Sequence, residues 1–327
     1  MRYKPSEKRE IIDLVERSSL PVRRTLDPLG IPKSTFYGWY ERFREGGDAA
    51  LEDRRPRSGK AWNRLPDKVR DSILRLALEK PELSARELAV RYTEQYRYFV
   101  SESSVYRLLK AHDLIVSPAF VLMKAADRFQ HPSTAPNQLW QTDFTYLKVI
   151  GWGWFYLSTV LDDYSRYILA WKLCDGMAAK HVSDTLALAL KASRLETVNG
   201  RHRPRLLSDN GPSYVSAELK GWLDQRGMGH TRGRPYHPMT QGKIERWHRS
   251  MKNQVLLENY YLPGDLKARI GEFVNYYNTE RYHESLNNLT PEDVYTGRGQ
   301  TVLDRRYRIK QQTLAERRRL YYRQKAA

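Results

Sequence analysis

The sequence predicts a multi-domain protein in which all-α helical modules precede an α/β domain and a basic C-terminal arm. Three observations lead there. The chain has 327 residues, 40 % of them hydrophobic and 12 % aromatic, which is more than one ordinary domain and enough apolar material for packed cores. Its hydrophobic period is helical up to about residue 112 and becomes strand-like from Asn137. Its 56 Lys and Arg outweigh 38 Asp and Glu, a formal net charge of +18, so a polyanionic partner is expected. No run of 18 apolar residues occurs and the start, MRYKPSEKRE, lacks an apolar signal segment, so neither a membrane span nor secretion is expected and the compartment is read as cytoplasmic. The single cysteine, Cys174, excludes an intramolecular disulfide and a Cys-based zinc site; it sits in the apolar run YILAWKLC and reads as a buried thiol.

In residues 1–51, SEKREIIDLVERS places Ile11, Ile12 and Val15 on one helical face, and LPVRRTLDPLG stops at Gly30. In the third segment Phe36, Trp39, Tyr40 and Phe43 make a core stripe, leaving Lys33, Ser34, Thr35, Tyr37 and Arg44 off it. A turn before a third helix with polar N-terminal residues is the helix-turn-helix pattern, whose last helix enters a major groove. A plain three-helix bundle is the competing reading. Residues 52–65 form a basic linker, where Arg54, Arg55 and Arg57 flank Pro56 and suit a minor groove. A second set of three helices is expected over 66–80, 84–95 and 101–112, within a domain of 66–115, with Ser84 and Glu87 forming a capping box. Residues 116–135 read as a further linker.

Over 136–297 the runs LWQTDFTYLKV, WFYLSTVLDD and RYILAWKL are followed by a helix over 179–194 and a short strand, RLLS, at 205–208, an α/β layout. Asp143 lies inside the first strand, where a charge is costly without a partner. Asp209 follows the fourth strand at the turn DNGPSY, and Glu245, with 35 residues between it and Asp209, stands on a helix marked by Ile244, Trp247 and Met251. His248, Arg249 and Lys252 share the face of Glu245. Three carboxylates from separate elements suit hard divalent cations, and two such ions about 3.5–4 Å apart serve in-line displacement at phosphorus. Taken singly, an Asp at a strand end is more often a turn former and a Glu on a helix usually a solvated residue; the combination of contexts and spacing is what points to a site. Asp162 and Asp163 read as a hairpin turn rather than as ligands. His237 is weighed evenly between substrate contact and loop structure, and Arg281 and His283 are read as tethers of the last helices. Trp140, Trp152, Trp154, Trp171 and Trp222 are expected in cores.

Charge concentrates at the two ends and in this block: Lys and Arg against Asp and Glu number 15 to 10 in 1–65, 17 to 11 in 136–264, 3 to 6 in 265–297 and 10 to 2 in 298–327. The last segment, 298–327, reads as a solvated, partly ordered basic arm for phosphate.

WQTDFTYL, LSDNGPSY and YHPMTQGKIERWHRSMK resemble the three motifs of the D,D(35)E transposases and integrases, in particular bacterial insertion-sequence transposases. FVNYYNTERYHESLNNLTPEDVY adds to the likeness, which covers about residues 136–297. The resemblance implies an RNase H-like, retroviral integrase-like catalytic domain in which Asp143, Asp209 and Glu245 bind two Mg²⁺ or Mn²⁺ ions, and a bacterial, nucleoid-associated protein acting as at least a dimer on paired DNA ends. Lys33, Ser34, Thr35, Tyr37, Arg54, Arg55, Arg57, His237, Lys243, Arg246, Arg249 and Lys252 are the candidate DNA contacts, and the resemblance implies that Lys252 and the residues before the Glu245 helix touch the transposon end near the scissile phosphate. The reaction implied is cleavage of transposon ends and transfer of their 3′-OH groups to target DNA. Two rivals are a DNA-binding regulator with an inactive domain and an RNA–DNA hybrid nuclease. The lone cysteine departs from the His/Cys zinc module of retroviral integrases, and no long heptad repeat is present.

Overall fold

Glu7 starts the first helix by accepting the Lys4 amide at 2.7 Å, and Pro5 occupies its first position, where a missing N–H costs nothing. This helix, α1 (Pro5–Arg17), is followed by α2 (Val22–Leu26) and α3 (Lys33–Gly46). Gly30, at φ 62°, supplies the left-handed turn between α2 and α3. Ile12, Leu26, Ile31, Phe36, Trp39 and Leu51 form the core of these helices. The structure is a computed structural model, and it describes residues 3–52, 61–115, 133–197, 203–233 and 242–326. The chain divides into two units, Met1–Arg64 and Leu65–Ala327.

The second unit begins with α4 (Asp67–Glu79), α5 (Ala85–Tyr96) and α6 (Glu102–Ala111), packed through Ile73, Leu76, Leu88, Tyr92, Val105 and Leu108. The capping box at α5 is formed: the Ser84 amide donates to Glu87 at 3.0 Å and the Glu87 amide to Ser84 Oγ at 3.3 Å. Ser84→Ala is expected to cost about 1 kcal/mol, read as a lower denaturation midpoint of this unit; an unchanged midpoint would show that the cap is idle.

A five-stranded sheet follows, made of β1 (Leu139–Val149), β2 (Gly153–Asp162), β3 (Ile168–Cys174), β4 (Arg205–Ser208) and β5 (His230–Arg232). Its order is β3-β2-β1-β4-β5, antiparallel from β1 to β3 and parallel from β1 through β4 to β5. Helix α7 (Ala179–Ala192) is the crossover between β3 and β4, and α8 (Pro212–Val215) and α9 (Ala217–Gln225) precede β5. Strand alternation sends side chains to two cores. Trp140, Val160 and Leu206 pack against Val182, Leu186, Tyr214 and Leu219 of α7 to α9. Leu147, Val149 and Leu157 pack against α10 (Gly242–Val255) and α11 (Pro263–Thr279) through Ile244, Trp247, Met251 and Phe273. Cys174 is buried, and desolvation pushes its thiol up to about 11.

After α12 (Pro291–Tyr295) comes α13 (Gly299–Ala326), one helix of 28 residues. The basic arm expected over 298–327 is therefore continuous helix, and it is anchored. Arg317 donates to the Phe99 carbonyl at 2.6 Å and to the Tyr98 hydroxyl at 2.8 Å, and Arg306 meets Glu94 at 2.8 Å. The same Glu94 accepts the Tyr282 hydroxyl at 2.6 Å, and Arg91 pairs with Glu280 at 3.0 Å. The second helical module is thus fastened to the sheet domain within one unit. Part of the charge read as phosphate-binding is used internally, while Arg319 and Arg323 stay exposed.

Two tryptophans depart from the expected core. Trp140 is fully buried, but Trp152 and Trp154 are 62 % and 54 % exposed, because the β1–β2 hairpin extends past the helices that cover the sheet.

Candidate active site

Asp143 lies on β1, and Asp209 directly follows β4, the strand paired with β1. β1 pairs with β4 through Leu139↔Arg205, Trp140↔Leu206 and Gln141↔Leu207, and the two acids each lie two residues beyond the last of these pairs. Both carboxylates act on one buried group: desolvation first, then the charges of Asp143 and Asp209, hold the Tyr214 hydroxyl well above the usual phenol range. Asp209 Oδ1 accepts the Gly211 amide at 2.9 Å, which fixes the turn that the Asn-Gly-Pro run demands.

Helix α10 approaches Asp143 from the other side of the sheet. His248 Nδ1 lies 3.5 Å from Asp143 Oδ2. Lys252, one turn further, has its ammonium 4.3 Å from the Tyr146 ring centroid, and burial lowers its pKa against the opposing pull of Asp143. Glu245 is exposed in the first turn of α10, three residues before His248 and so about 4.5 Å along the axis from it. Among the described residues no three His, Cys, Asp or Glu side chains stand close enough together to hold a metal ion. Asp143 and Asp209 both lie two residues past the last β1–β4 pair, and Glu245 stands on the helix that reaches β1. An all-oxygen donor set of this kind fits a hard divalent cation.

The acidic pair beside this site is structural. Asp162 is buried and accepts the Asn137 amide at 2.7 Å, the Ser165 amide at 2.8 Å and Ser165 Oγ at 2.6 Å. Asp163 accepts Gln141 Nε2 at 2.7 Å and pairs with Lys243 Nζ at 2.7 Å. Hydrogen bonding and charge from Lys243 hold its carboxyl below the ordinary range despite burial. Lys243, a candidate DNA contact, also donates to the Asp163 carbonyl at 3.0 Å and ties the start of α10 to the β2–β3 turn. Gln141 completes the tie by accepting the Ile244 amide at 3.2 Å. Nothing in the sequence marked Gln141, Asp163 and Lys243 as one unit, since they lie on three separate elements.

Scans against known families agree with this layout. An integrase core profile matches residues 133–238, and a second matches 226–291. The central block is an integrase core domain. A helix-turn-helix profile matches residues 7–60 and a homeodomain-like profile 35–109, so the integrase core follows helix-turn-helix modules. Among curated relatives, the chain is 27 % identical over 166 residues to the transposase of insertion sequence IS904 from Lactococcus lactis, covering 49 % of this chain and 62 % of that protein. It is 23 % identical over 275 residues to an uncharacterized 31 kDa protein of insertion element IS600 from Shigella sonnei, covering 80 % and 94 %. The chain thus spans less than two thirds of the IS904 transposase. Among solved structures, the HTLV-2 integrase catalytic core in complex with magnesium is 21 % identical, covering 50 % of this chain and 98 % of that one, at a TM-score of 0.39.

Outside the integrase core, Lys33, Ser34 and Tyr37 are exposed and Thr35 half-buried in the first turns of α3, the end that a recognition helix presents. Arg246 and Arg249 are exposed on α10. Arg54, Arg55, Arg57 and His237 lie outside the described residues. Arg281 and His283 are structural: the Arg281 guanidinium lies 5.7 Å from the Tyr277 ring centroid and the His283 ring 4.9 Å from the same ring. Burial, with nearby arginines, pushes His283 down to about 3, so it is neutral at physiological pH.

Proposed function

We propose that this protein is a DNA transposase that binds terminal inverted repeats, cuts the ends by metal-dependent hydrolysis and joins the 3′-OH ends to target DNA. The observation that carries this reading is that the charges of Asp143 and Asp209 both act on the buried Tyr214 hydroxyl within an integrase core, beside a helix that brings Glu245, His248 and Lys252 to the strand of Asp143. Asp143, Asp209 and Glu245 are assigned to hold two Mg²⁺ or Mn²⁺ ions. When bound, such ions activate the attacking oxygen and neutralise charge on the leaving oxygen. The protein's own residues orient and attract. His248 holds the Asp143 carboxylate from the α10 side, and the Lys252 ammonium offers positive charge to a phosphate passing Asp143. Both reactions are in-line attacks at phosphorus, so one site serves hydrolysis and transesterification.

In the domain assignment that goes with this reading, 1–51 and 66–115 are the DNA-binding modules and 136–297 the catalytic domain. The exposed face of α3 is given to the inverted repeat, with Arg246 and Arg249 on the flanking backbone. At least two protomers act together on paired ends at the nucleoid. The test is nicking of labelled DNA carrying the repeats that flank the coding region. Cleavage that needs Mg²⁺, leaves a 3′-OH and is followed by strand joining is the expected result. Hybrid RNA–DNA cleavage without end specificity would overturn it. Binding of end DNA is expected to fall steeply with salt, by about 1000-fold or more between 50 and 200 mM if six or more phosphates are contacted. Salt-insensitive binding would remove the electrostatic part of the argument.

A further inference from the structure

Beyond the acids, the face of the sheet that packs on α7 to α9 runs out from under those helices at the β1–β2 hairpin. Tyr146 and Trp154 lie on this face, diagonal to one another across the β1–β2 pair, where Tyr146 opposes Tyr156 and Lys148 opposes Trp154. They are 57 % and 54 % exposed, and their rings meet edge to face with centroids 5.3 Å apart. Tyr156 is half-buried and Lys148 exposed beside them. Large aromatic surface left in water is unfavourable in a protein that has helices to cover it, and such surface marks a binding face.

The surroundings say what binds. Between Tyr146 and Tyr156 the only charged side chain is Lys148. The second charge is Lys252, whose ammonium sits 4.3 Å from the Tyr146 ring centroid while feeling the Asp143 carboxylate. Asp143 and Tyr146 point to opposite faces, but β1 pairs with β4 only as far as Gln141. Beyond that residue Lys252 reaches around the strand edge and joins the acid side of the sheet to its aromatic side. Asp143 and Tyr146 are three positions apart, roughly 10 Å along β1, a span of one or two nucleotides. Aromatic rings with interleaved lysines are the chemistry that holds unpaired nucleic acid: bases stack on the rings and the backbone meets the cations.

We propose that Tyr146 and Trp154, with Lys148 and Lys252, form a stacking platform for unpaired nucleotides of the DNA strand that passes Asp143. This rests on the transposase reading for its substrate and adds to it that the end is opened, not held as a closed duplex. Bases freed beside the cut site lie on Trp154 and Tyr146, while Lys252 bridges the adjoining phosphate to the acids.

The test uses the full chain in EDTA, so that no strand is cut, and compares a blunt duplex with the same duplex carrying a short oligothymidine overhang. The wild-type protein is expected to bind the overhang about ten-fold more tightly, the equivalent of one stacked base. Trp154→Ala is expected to abolish that preference with blunt binding unchanged, and Trp154→Phe to keep part of it. Equal loss on both probes, or a wild-type protein with no preference, overturns the platform. So does a Trp154→Ala protein that keeps the preference but dissociates from dimer to monomer in sedimentation, which makes this face a contact between copies. Overhang preference in a chain that never nicks end DNA leaves the platform standing and removes the transposase reading; nicking without overhang preference does the reverse.

Discussion

Asp143→Asn is expected to abolish both end cleavage and strand joining, by about 1000-fold or more, while leaving end DNA bound as tightly as before or more tightly. The substitution keeps the size of the side chain and removes its charge, and an amide offers a hard cation one weak oxygen in place of a carboxylate. Electrostatic groups aimed at the reacting centre carry factors of about 100 to 1000 each, and loss of a ligand also loosens the ions that the other acids hold. Folding is little affected, because Asp143 is at the rim of the sheet with 22 % of its side chain exposed and its contact to His248 is a long 3.5 Å. An unchanged thermal midpoint accompanying the loss of activity separates chemistry from unfolding. Asp209→Asn and Glu245→Gln are expected to behave alike, since one site serves both reactions. Normal strand transfer by any of the three would falsify the assignment.

What the sequence disclosed about this site followed from periodicity, and what it hid followed from pairing. β1 at Leu139–Val149 and β4 at Arg205–Ser208 coincide with the runs LWQTDFTYLKV and RLLS, because buried strands are long apolar stretches bounded by turn residues. The pairing of β1 with β4 that ends two residues short of Asp143 and Asp209 is not readable in the sequence, since parallel register depends on how the crossover through α7 packs. β5 escaped notice for a simpler reason: three residues, His230–Arg232, are too few to alternate. Tail residues 298–327 were read from charge and not from period. Their helix is held by Thr313, Arg306 and Arg317, whose partners Phe99, Glu94 and Tyr98 lie some 200 positions earlier. The Lys243–Asp163 ion pair is hidden for the same cause, because a lysine followed by a carboxylate on its own helix gives no sign of an aspartate reaching it from the β2–β3 turn.

Trp247→Ala is expected to be the most damaging single change to the integrase core, costing about 3–5 kcal/mol and, at temperatures where the variant still folds, lowering activity as well. Trp247 is 1 % exposed; it stacks on Phe273 with centroids 5.5 Å apart and meets Tyr277 edge-on at 4.6 Å, so its indole is the contact that seats α10 on α11. Glu245, His248 and Lys252 ride on the same helix. A shift of α10 into the cavity therefore moves three side chains of the proposed site at once, which a cavity elsewhere in the core, such as Leu186→Ala on α7, does not. Trp247→Phe separates packing from polarity. The indole Nε1–H has no hydrogen-bond partner among the described residues, and a buried donor without one costs about 1–3 kcal/mol. Phenylalanine gives up ring area but removes that donor, and it keeps the aromatic contacts with Phe273 and Tyr277. Its net penalty is expected to be less than half that of alanine in urea denaturation, with strand joining retained. If Trp247→Phe proved as destabilising as Trp247→Ala, the indole nitrogen would have to be bonded in the folded protein, and the seating of α10 would rest on that bond rather than on ring packing.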